Sequence, residues 1–336
     1  MTQTSKTKTA KTKAVKSKTA STAKTSAKTS KAKILIAYDG SANSDGALSD
    51  LRHAGLEANG EARILTVSDP WIPSLESVSV ATDVVFAGAF TMAQPLMRDA
   101  LKDAKITVEK GAAQLRKNFP KWKVASATVL DAPAQGILHT AEKWHPTLIV
   151  LGSKGHTALG RLLLGSVSHK VLTHATCSVR IARPASGSAA SASPRVLLAI
   201  DGSKDAEAML QSVLRRSWGK GAEFRVIVVL DYKLSLIQQY QPGQKGPLVE
   251  AVPQGDLAKR LAEKAAQSLT DKGLKTTFVI REGDPRTEIE AEAKRFKANN
   301  LFLGSHGLHA VRRFFLGSVS AALAEHAPCS VEIVRR

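Results

Sequence analysis

Two copies of one glycine pattern dominate the chemistry available to this chain. Gly152-Ser153-Lys154-Gly155 is followed, after nine residues, by Gly165-Ser166-Val167-Ser168. At an offset of 152, Gly304-Ser305-His306-Gly307 is followed at the same spacing by Gly317-Ser318-Val319-Ser320. Each copy comes directly after an apolar run, Leu148–Leu151 or Leu301–Leu303, that reads as a buried strand. Glycines just past a strand let backbone N–H groups approach an anion, because no Cβ stands in the way. The Gly-Ser-Val-Ser cluster can then open a helix, whose free N–H groups and positive dipole end favour phosphate. The pattern points to nucleotide phosphates, twice. The hydroxyls of Ser166, Ser168, Ser318 and Ser320 can donate to phosphate oxygens, or serve only as helix caps.

Two further sequences share an offset, here 162: Asp39-Gly40-Ser41 and Asp201-Gly202-Ser203. Both follow an apolar run, Ile34–Ala37 or Val196–Ile200. In open α/β sheets ligands bind outside the carboxyl ends of the strands, so these motifs and the glycine loops can share one rim. Asp39 and Asp201 can accept hydrogen bonds from a ribose or orient a metal-bound water. Capping the next helix through an Asx turn is the plainer role.

Other candidates are weaker. Lys154 and His306 fill the same slot within the glycine loop and either approach phosphate or face solvent. His156 has Leu308 as its counterpart, which argues against a shared catalytic role. Arg161 and Arg313 are equivalent and either touch phosphate or are solvated. His174 and His326 fall near the end of a helix, where histidine serves carbonyls and the dipole. Cys177 and Cys329, the two cysteines, are also 152 apart and read as small buried residues at strand entries. No His/Cys cluster has zinc spacing. The P-loop signature is missing, and with it the lysine that usually supports phosphoryl transfer.

These residues need a scaffold, and strands alternating with helices supply one. The first unit reads as a strand from Lys33 running into the polar turn at Asp39–Ser41, helix 42–58, strand 63–67, an insert from 68 to about 96, helix 97–119, strand 124–130, helix 134–144, strand 148–151, helix 166–174 and strand 178–182. The insert holds three prolines and Trp71, Phe86, Phe90 and Met92, which read as packing residues in preference to a lid or a dimer contact. The second unit restarts at Arg195 and repeats the order: strand 224–230, helix 257–269, strand 276–280, helix 285–296 and strand 301–303. Such alternation implies a mostly parallel sheet covered on both faces. The offset changes from 162 to 152 between Asp39 and Pro133, and the loop after the second strand is the natural place for the extra ten residues. The chain therefore divides into a tail (1–31), a first domain (32–183), a flexible Pro/Ser/Ala linker (184–194) and a second domain (195–336).

Charge is concentrated at the front. Of the formal net +19, ten lysines without a single acid lie in residues 1–33, and the rest of the chain carries +9. A segment of Lys, Thr, Ser and Ala cannot offset its conformational entropy and reads as disordered. It acts either as an arm for nucleic acid or another polyanion, by counterion release, or as a solvated extension. A transit peptide would carry arginine, which this tail lacks. No apolar run reaches the ~20 residues of a membrane span. No secretory signal is visible, so a cytoplasmic location is expected, with few thiols in keeping.

With these residues in hand, the chain resembles the universal stress protein family, in its ATP-binding branch. The motif G-x-x-G, nine residues, G-[S/T] is met at Gly152/Gly155/Gly165/Ser166 and at Gly304/Gly307/Gly317/Ser318. The aspartate after the first strand matches Asp39 and Asp201. The family's Gly-Asp-Pro stands as Gly283-Asp284-Pro285 but departs to Asp131-Ala132-Pro133 in the first unit. The resemblance implies an α/β fold of two tandem, doubly wound, mostly parallel five-stranded sheets with helices on both faces. Strands 179–182 and 331–334 would pair within the chain as a pseudo-two-fold dimer, and further homodimerisation stays open. It also implies ATP, ADP or AMP against Ala37, Asp39 and Val67, and against Ala199, Asp201 and Val229. Phosphates would lie on the glycine loops and on Gly165–Ser168 (with Val167) and Gly317–Ser320 (with Val319), with Mg²⁺ held mainly by phosphate oxygens.

The expected function is nucleotide binding in a stress response, with slow or no hydrolysis. The alternatives are an ATPase or autophosphorylating regulator with the Ser-rich turn as acceptor, and a polyanion-binding protein acting through its tail.

Overall fold

The apolar pentapeptides Lys33–Ala37 (β1) and Arg195–Ala199 (β6) form the central strands of two half-sheets. They were located in a computed structural model that describes residues 32–69, 83–153, 164–183, 193–231, 254–307 and 316–336, with backbone alone for 83–93 and 254. The tail, most of the linker, Trp71 and the loop residues Lys154, Gly155, His156, Arg161, Leu308 and Arg313 lie outside the described residues, as do the side chains of Phe86, Phe90 and Met92.

In the first half β1 is followed by α1 (Ala42–Asp50), β2 (Glu61–Ser68), α2 (Asp83–Asn118), β3 (Lys123–Leu130), α3 (Pro133–Trp144), β4 (Leu148–Gly152), α4 (Ser166–His174) and β5 (Ser178–Ala182). The second half repeats this from β6 through α5 (Lys204–Leu214), β7 (Glu223–Leu230), α6 (Gln254–Thr270), β8 (Lys275–Glu282), α7 (Pro285–Phe296), β9 (Asn300–Gly304), α8 (Ser318–His326) and β10 (Ser330–Val334). The strands make one ten-stranded sheet in the order β3-β2-β1-β4-β5-β10-β9-β6-β7-β8. Every strand pair in it is parallel except the central β5–β10 pair, where Arg180 lies opposite Glu332. The expected in-chain pairing of the two last strands is thus present.

Alternation along the strands assigns the faces. Leu35, Ile149 and Ile181 join α3 and α4 in a core that continues without a break into Leu197, Leu301, Ile333, α7 and α8 of the second half. Ile34, Ile36, Ile64 and Val150 face the other way, onto Leu48 of α1 and Val108, Ala112 and Leu115 of α2. Val196, Leu198, Val226 and Phe302 do the same beneath α5 and α6. With both faces covered, the strands must be apolar throughout, which is why they read as uninterrupted runs. Each fully buried Leu or Ile side chain contributes about 1.5–3 kcal/mol.

Most element boundaries fall within about three residues of the sequence reading, and two differ by more. The helix expected from Met97 begins at Asp83, with Pro95 inside it. Pro95 is exposed, so water can take over the hydrogen bond that the proline removes. The first helix, expected to run to Ala58, ends at Asp50 in a 3₁₀ turn, because Gly55 turns the chain with φ +64°. Trp218 of the second half lies against that glycine, 2.6 Å from where a Cβ would stand. The ten extra residues do fall between β2 and β3, since the offset is 162 through β2 and 152 from β3 onward. No helix among the described residues is long and apolar enough to cross a membrane.

Candidate functional site

The chain leaves β1 for β2 and β3 on one side and returns to place β4 on the other, so the strand order reverses between β1 and β4. The same reversal lies between β6 and β9. At these two switch points the carboxyl ends of adjacent strands open a crevice; Asp39, Gly152 and Gly165–Ser168 lie at the first, and Asp201, Gly304–Gly307 and Gly317–Ser320 at the second.

In the second half the geometry is complete through Gly307. The Gly317 N–H donates to the Ser305 carbonyl (2.9 Å), and Ser320 Oγ donates to the Gly304 carbonyl (2.7 Å). Together they hold the start of α8 against the end of β9. Gly304 must lack a side chain because a Cβ would fall 2.8 Å from the Asp205 carbonyl carbon, in the first turn of α5. A Cβ on Gly307 would fall 2.9 Å from Asp201 Oδ2, which brings the aspartate and the glycine loop onto one rim. The first half repeats the pattern: Gly165 N–H to the Ser153 carbonyl (2.8 Å), Ser168 Oγ to the Gly152 carbonyl (2.8 Å), and Gly152 against Asn43 of α1.

The serines divide by role. Ser168 and Ser320 are buried and committed to strand-end carbonyls. Ser166 and Ser318 are exposed at the first turn of helices whose caps, Gly165 and Gly317, carry no side chain to satisfy the N–H groups. Among the described residues no side chain caps these N–H groups, and a helix start of this kind suits an anion. Ala37, Val67, Val167, Ala199, Val229 and Val319 are half-buried and packed on the core beneath the rim, offering an apolar floor. Asp39 and Asp201 are exposed. Each accepts a hydrogen bond from the backbone N–H two residues on (Ser41, 3.0 Å; Ser203, 2.9 Å), which is the Asx turn. The helix caps themselves are Ser41 and Ser203, accepting from Ser44 and Ala206.

The two sites are not identical. His306 neither reaches outward nor faces solvent. Its Nδ1 lies 2.9 Å from Asp205 Oδ2, and Asp205 also accepts from Ser305 Oγ (2.7 Å), the His306 N–H (3.1 Å) and Arg336 Nε (2.6 Å). Burial pushes the Asp205 carboxyl up, but the hydrogen bonds from Ser305 and His306 and the charge of Arg336 outweigh it and hold it below the ordinary range. His306 Nε2 is buried and unpartnered. Asn43 occupies the place of Asp205 in the first half, so this cluster has no twin there.

A profile of the universal stress protein family matches residues 32–183 and again 193–335. The chain belongs to the universal stress protein family. Among its relatives, a universal stress protein of Mycolicibacterium smegmatis is 27% identical over 312 residues, covering 90% of this chain and 96% of the relative. A single-length Bacillus subtilis universal stress protein is 32% identical over 153 residues, 45% of this chain and 98% of its own length. Among solved structures, a universal stress protein from Archaeoglobus fulgidus shares the fold with a TM-score of 0.56 and 24% identity, over 90% of this chain and 98% of that one.

Within this universal stress protein, several structural residues escaped the sequence reading. The terminal carbonyls of α4 and α8 are served by arginines: Arg335 donates to the Leu172 carbonyl, and to that of Cys177 beyond the helix, and Arg183 to those of Ala324 and Glu325. His174 and His326, expected there, are exposed in the last turns. Arg183 and Arg335 are 152 apart, so the repeat register carried the signal. The Gly-Asp-Pro departure also has a consequence. Asp284 caps α7 by accepting from Arg286 and Thr287, whereas Ala132 gives α3 no side-chain cap. Cys177 and Cys329 are unbridged, and burial pushes their thiols up to about 11 and about 12. Among the described residues no group of His, Cys, Asp or Glu could hold a metal ion.

Proposed function

We propose that this protein binds an adenine nucleotide in each half, at the two switch-point crevices, as part of a stress response, and turns it over slowly or not at all. The observation that carries this reading is the second rim, where Gly304 and Gly307, a helix start whose cap Gly317 has no side chain, and an aspartate converge. The Asp201 carboxylate occupies the space that a Gly307 side chain would take, so loop and aspartate can touch one ligand. Phosphates would lie on Gly304–Gly307 and the N–H groups of Ser318 and Val319, and in the first half on Gly152–Gly155 and those of Ser166 and Val167. Asp39 and Asp201 would accept ribose hydroxyls. Adenine would rest against Ala37 and Val67, or Ala199 and Val229. Mg²⁺ would come with the phosphates and neutralise their charge.

Binding without acceptor chemistry is favoured by the commitment of Ser168 and Ser320 to strand-end carbonyls, which removes the buried half of the Ser-rich turn as a phosphoryl acceptor. The lysine-rich tail supports an accessory contact with polyanions, whose affinity would fall with salt and vanish on deletion of residues 1–31. Mass spectrometry of small molecules released when the purified protein is denatured tests the main reading. ATP, ADP or AMP is the expected mass; a protein that neither carries nor takes up any of them would overturn it.

A further inference from the structure

The centre of the sheet holds a four-charge cluster in which the repeat symmetry is broken. Arg180 and Glu332 occupy equivalent positions, 152 apart, and face each other across the antiparallel β5–β10 pair, on the pseudo-two-fold axis itself. Arg180 is fully buried, and each of its three nitrogens has a partner: Asp50 Oδ2 at 2.7 Å, Glu332 Oε2 at 3.5 Å and Asn300 Oδ1 at 2.6 Å. Two of these three partners belong to the other half. Glu332 is buried in turn and paired with Arg216, which also donates to the Ala54 carbonyl of the first half (2.7 Å). Ser330 of the second half donates to Asp50 Oδ1 (2.7 Å), and Asn300 Nδ2 to the His53 carbonyl (3.1 Å). Beside the cluster, Trp218 packs on Gly55, the glycine whose Cβ would stand 2.6 Å from the indole.

The repeat register shows what either half would meet in a copy of itself. Against a second first half, Arg180 would face another Arg180, and Leu148 would replace Asn300. Two buried guanidiniums would then lack two partners each, a costly arrangement because a buried charge needs all its hydrogen bonds. Against a second second half, Glu332 would face Glu332. By the 162-residue offset, Ser217 would take the sequence position of the glycine on which Trp218 packs, where the backbone has a φ of +64° and a Cβ would lie 2.6 Å from the indole. Each half carries one acid and one base of its own, so the discrimination lies in who faces whom and not in net charge. We propose that the β5 and β10 edges form a self-rejecting, mutually selective interface: each half accepts only the unlike half, from the same chain or from a second copy of this chain, and refuses its own kind. Selectivity of this sort comes from the contacts that the wrong partner leaves unpaired or clashing.

The test starts from the full chain, folded, with a protease site inserted within 184–192. After cleavage, isotopically light and heavy preparations are mixed in mild urea to permit exchange, and native mass spectrometry weighs the products. Only unlike pairs are expected, with light–heavy hybrids among them; like pairs near the statistical one-quarter, one-half, one-quarter distribution would overturn the proposal. Variants of the uncut chain copy single like-with-like contacts: Glu332→Arg sets cation against cation, and Gly55→Ser sets a Cβ against Trp218. Hydrogen exchange at β5 and β10 should speed up at least tenfold relative to the outer strands β3 and β8. Unchanged protection in Gly55→Ser, the milder of the two, would also overturn it.

Discussion

Gly304 and Gly307 stand three residues apart in one loop, yet alanine should act on them in opposite ways. Neither has a positive φ, so backbone strain does not separate them. At Gly304 the new Cβ would meet the Asp205 carbonyl carbon at 2.8 Å and the Ala206 nitrogen at 2.9 Å. Both are main-chain atoms in the first turn of α5, and the helix can yield only by moving away from β9. Overpacking of this kind costs about 1–3 kcal/mol. At about 2–4 °C per kcal/mol for a unit of this size, the melting temperature should fall by roughly 2–12 °C. At Gly307 the only atom within 4 Å among the described residues, chain neighbours aside, is Asp201 Oδ2, the tip of an exposed side chain that can rotate aside. Gly307→Ala should therefore stay within about 0.5 kcal/mol of the parent, as surface changes do. It should instead weaken nucleotide binding in the second half, by displacing the aspartate and filling the cradle. Urea unfolding at constant m-value and a nucleotide titration, run on both variants, separate the two effects. Equal destabilisation by both, or a neutral Gly304→Ala, would refute this division between a glycine that serves the fold and one that serves the site.

Other expectations follow from the same geometry. Arg180→Met leaves Asp50 and Glu332 buried without their shared cation, and denaturant unfolding should show a loss of about 3–5 kcal/mol; a loss below 1 kcal/mol would contradict the described network. Asp284→Ala removes the cap of α7 and should cost about 0.5–2 kcal/mol in the same assay, whereas Asp131→Ala, beside a helix already uncapped, should cost less. The Asp205 carboxyl is held below its unfolded value, so its contribution is present above the usual carboxylate range and is lost as pH falls through the depressed folded value. Unfolding midpoints measured from neutral pH downward should thus fall less steeply in Asp205→Asn than in the parent.

Much of the fold was legible because the chain states it twice. The apolar runs of β1, β4, β6 and β9 are uninterrupted, since helices cover both faces, and α4, α7 and β5 fall on the residues expected. Where a boundary was misread, a local signal yielded to tertiary context: Pro95 reads as a stop but sits on the wet side of α2, and Gly55 ends the first helix under a tryptophan from the other half. The glycine loops and Asp39 and Asp201 stand out in the sequence by their spacing and by their place just after apolar runs. The Asp205–His306 cluster was not, because Asp205 sits in a helix whose first-half twin carries asparagine, and comparing the repeats hides what only one of them has. Arg180 and Glu332 were hidden for the same reason: they match in position and oppose in charge.

The most direct test of two nucleotide sites is a calorimetric titration of the intact chain with ATP, ADP and AMP, repeated on Gly155→Val, Gly307→Val and the double variant. Two equivalents bound per parent chain, one for each single variant and none for the double is the expected result. A single equivalent in the parent, or binding that survives in the double variant, would contradict it.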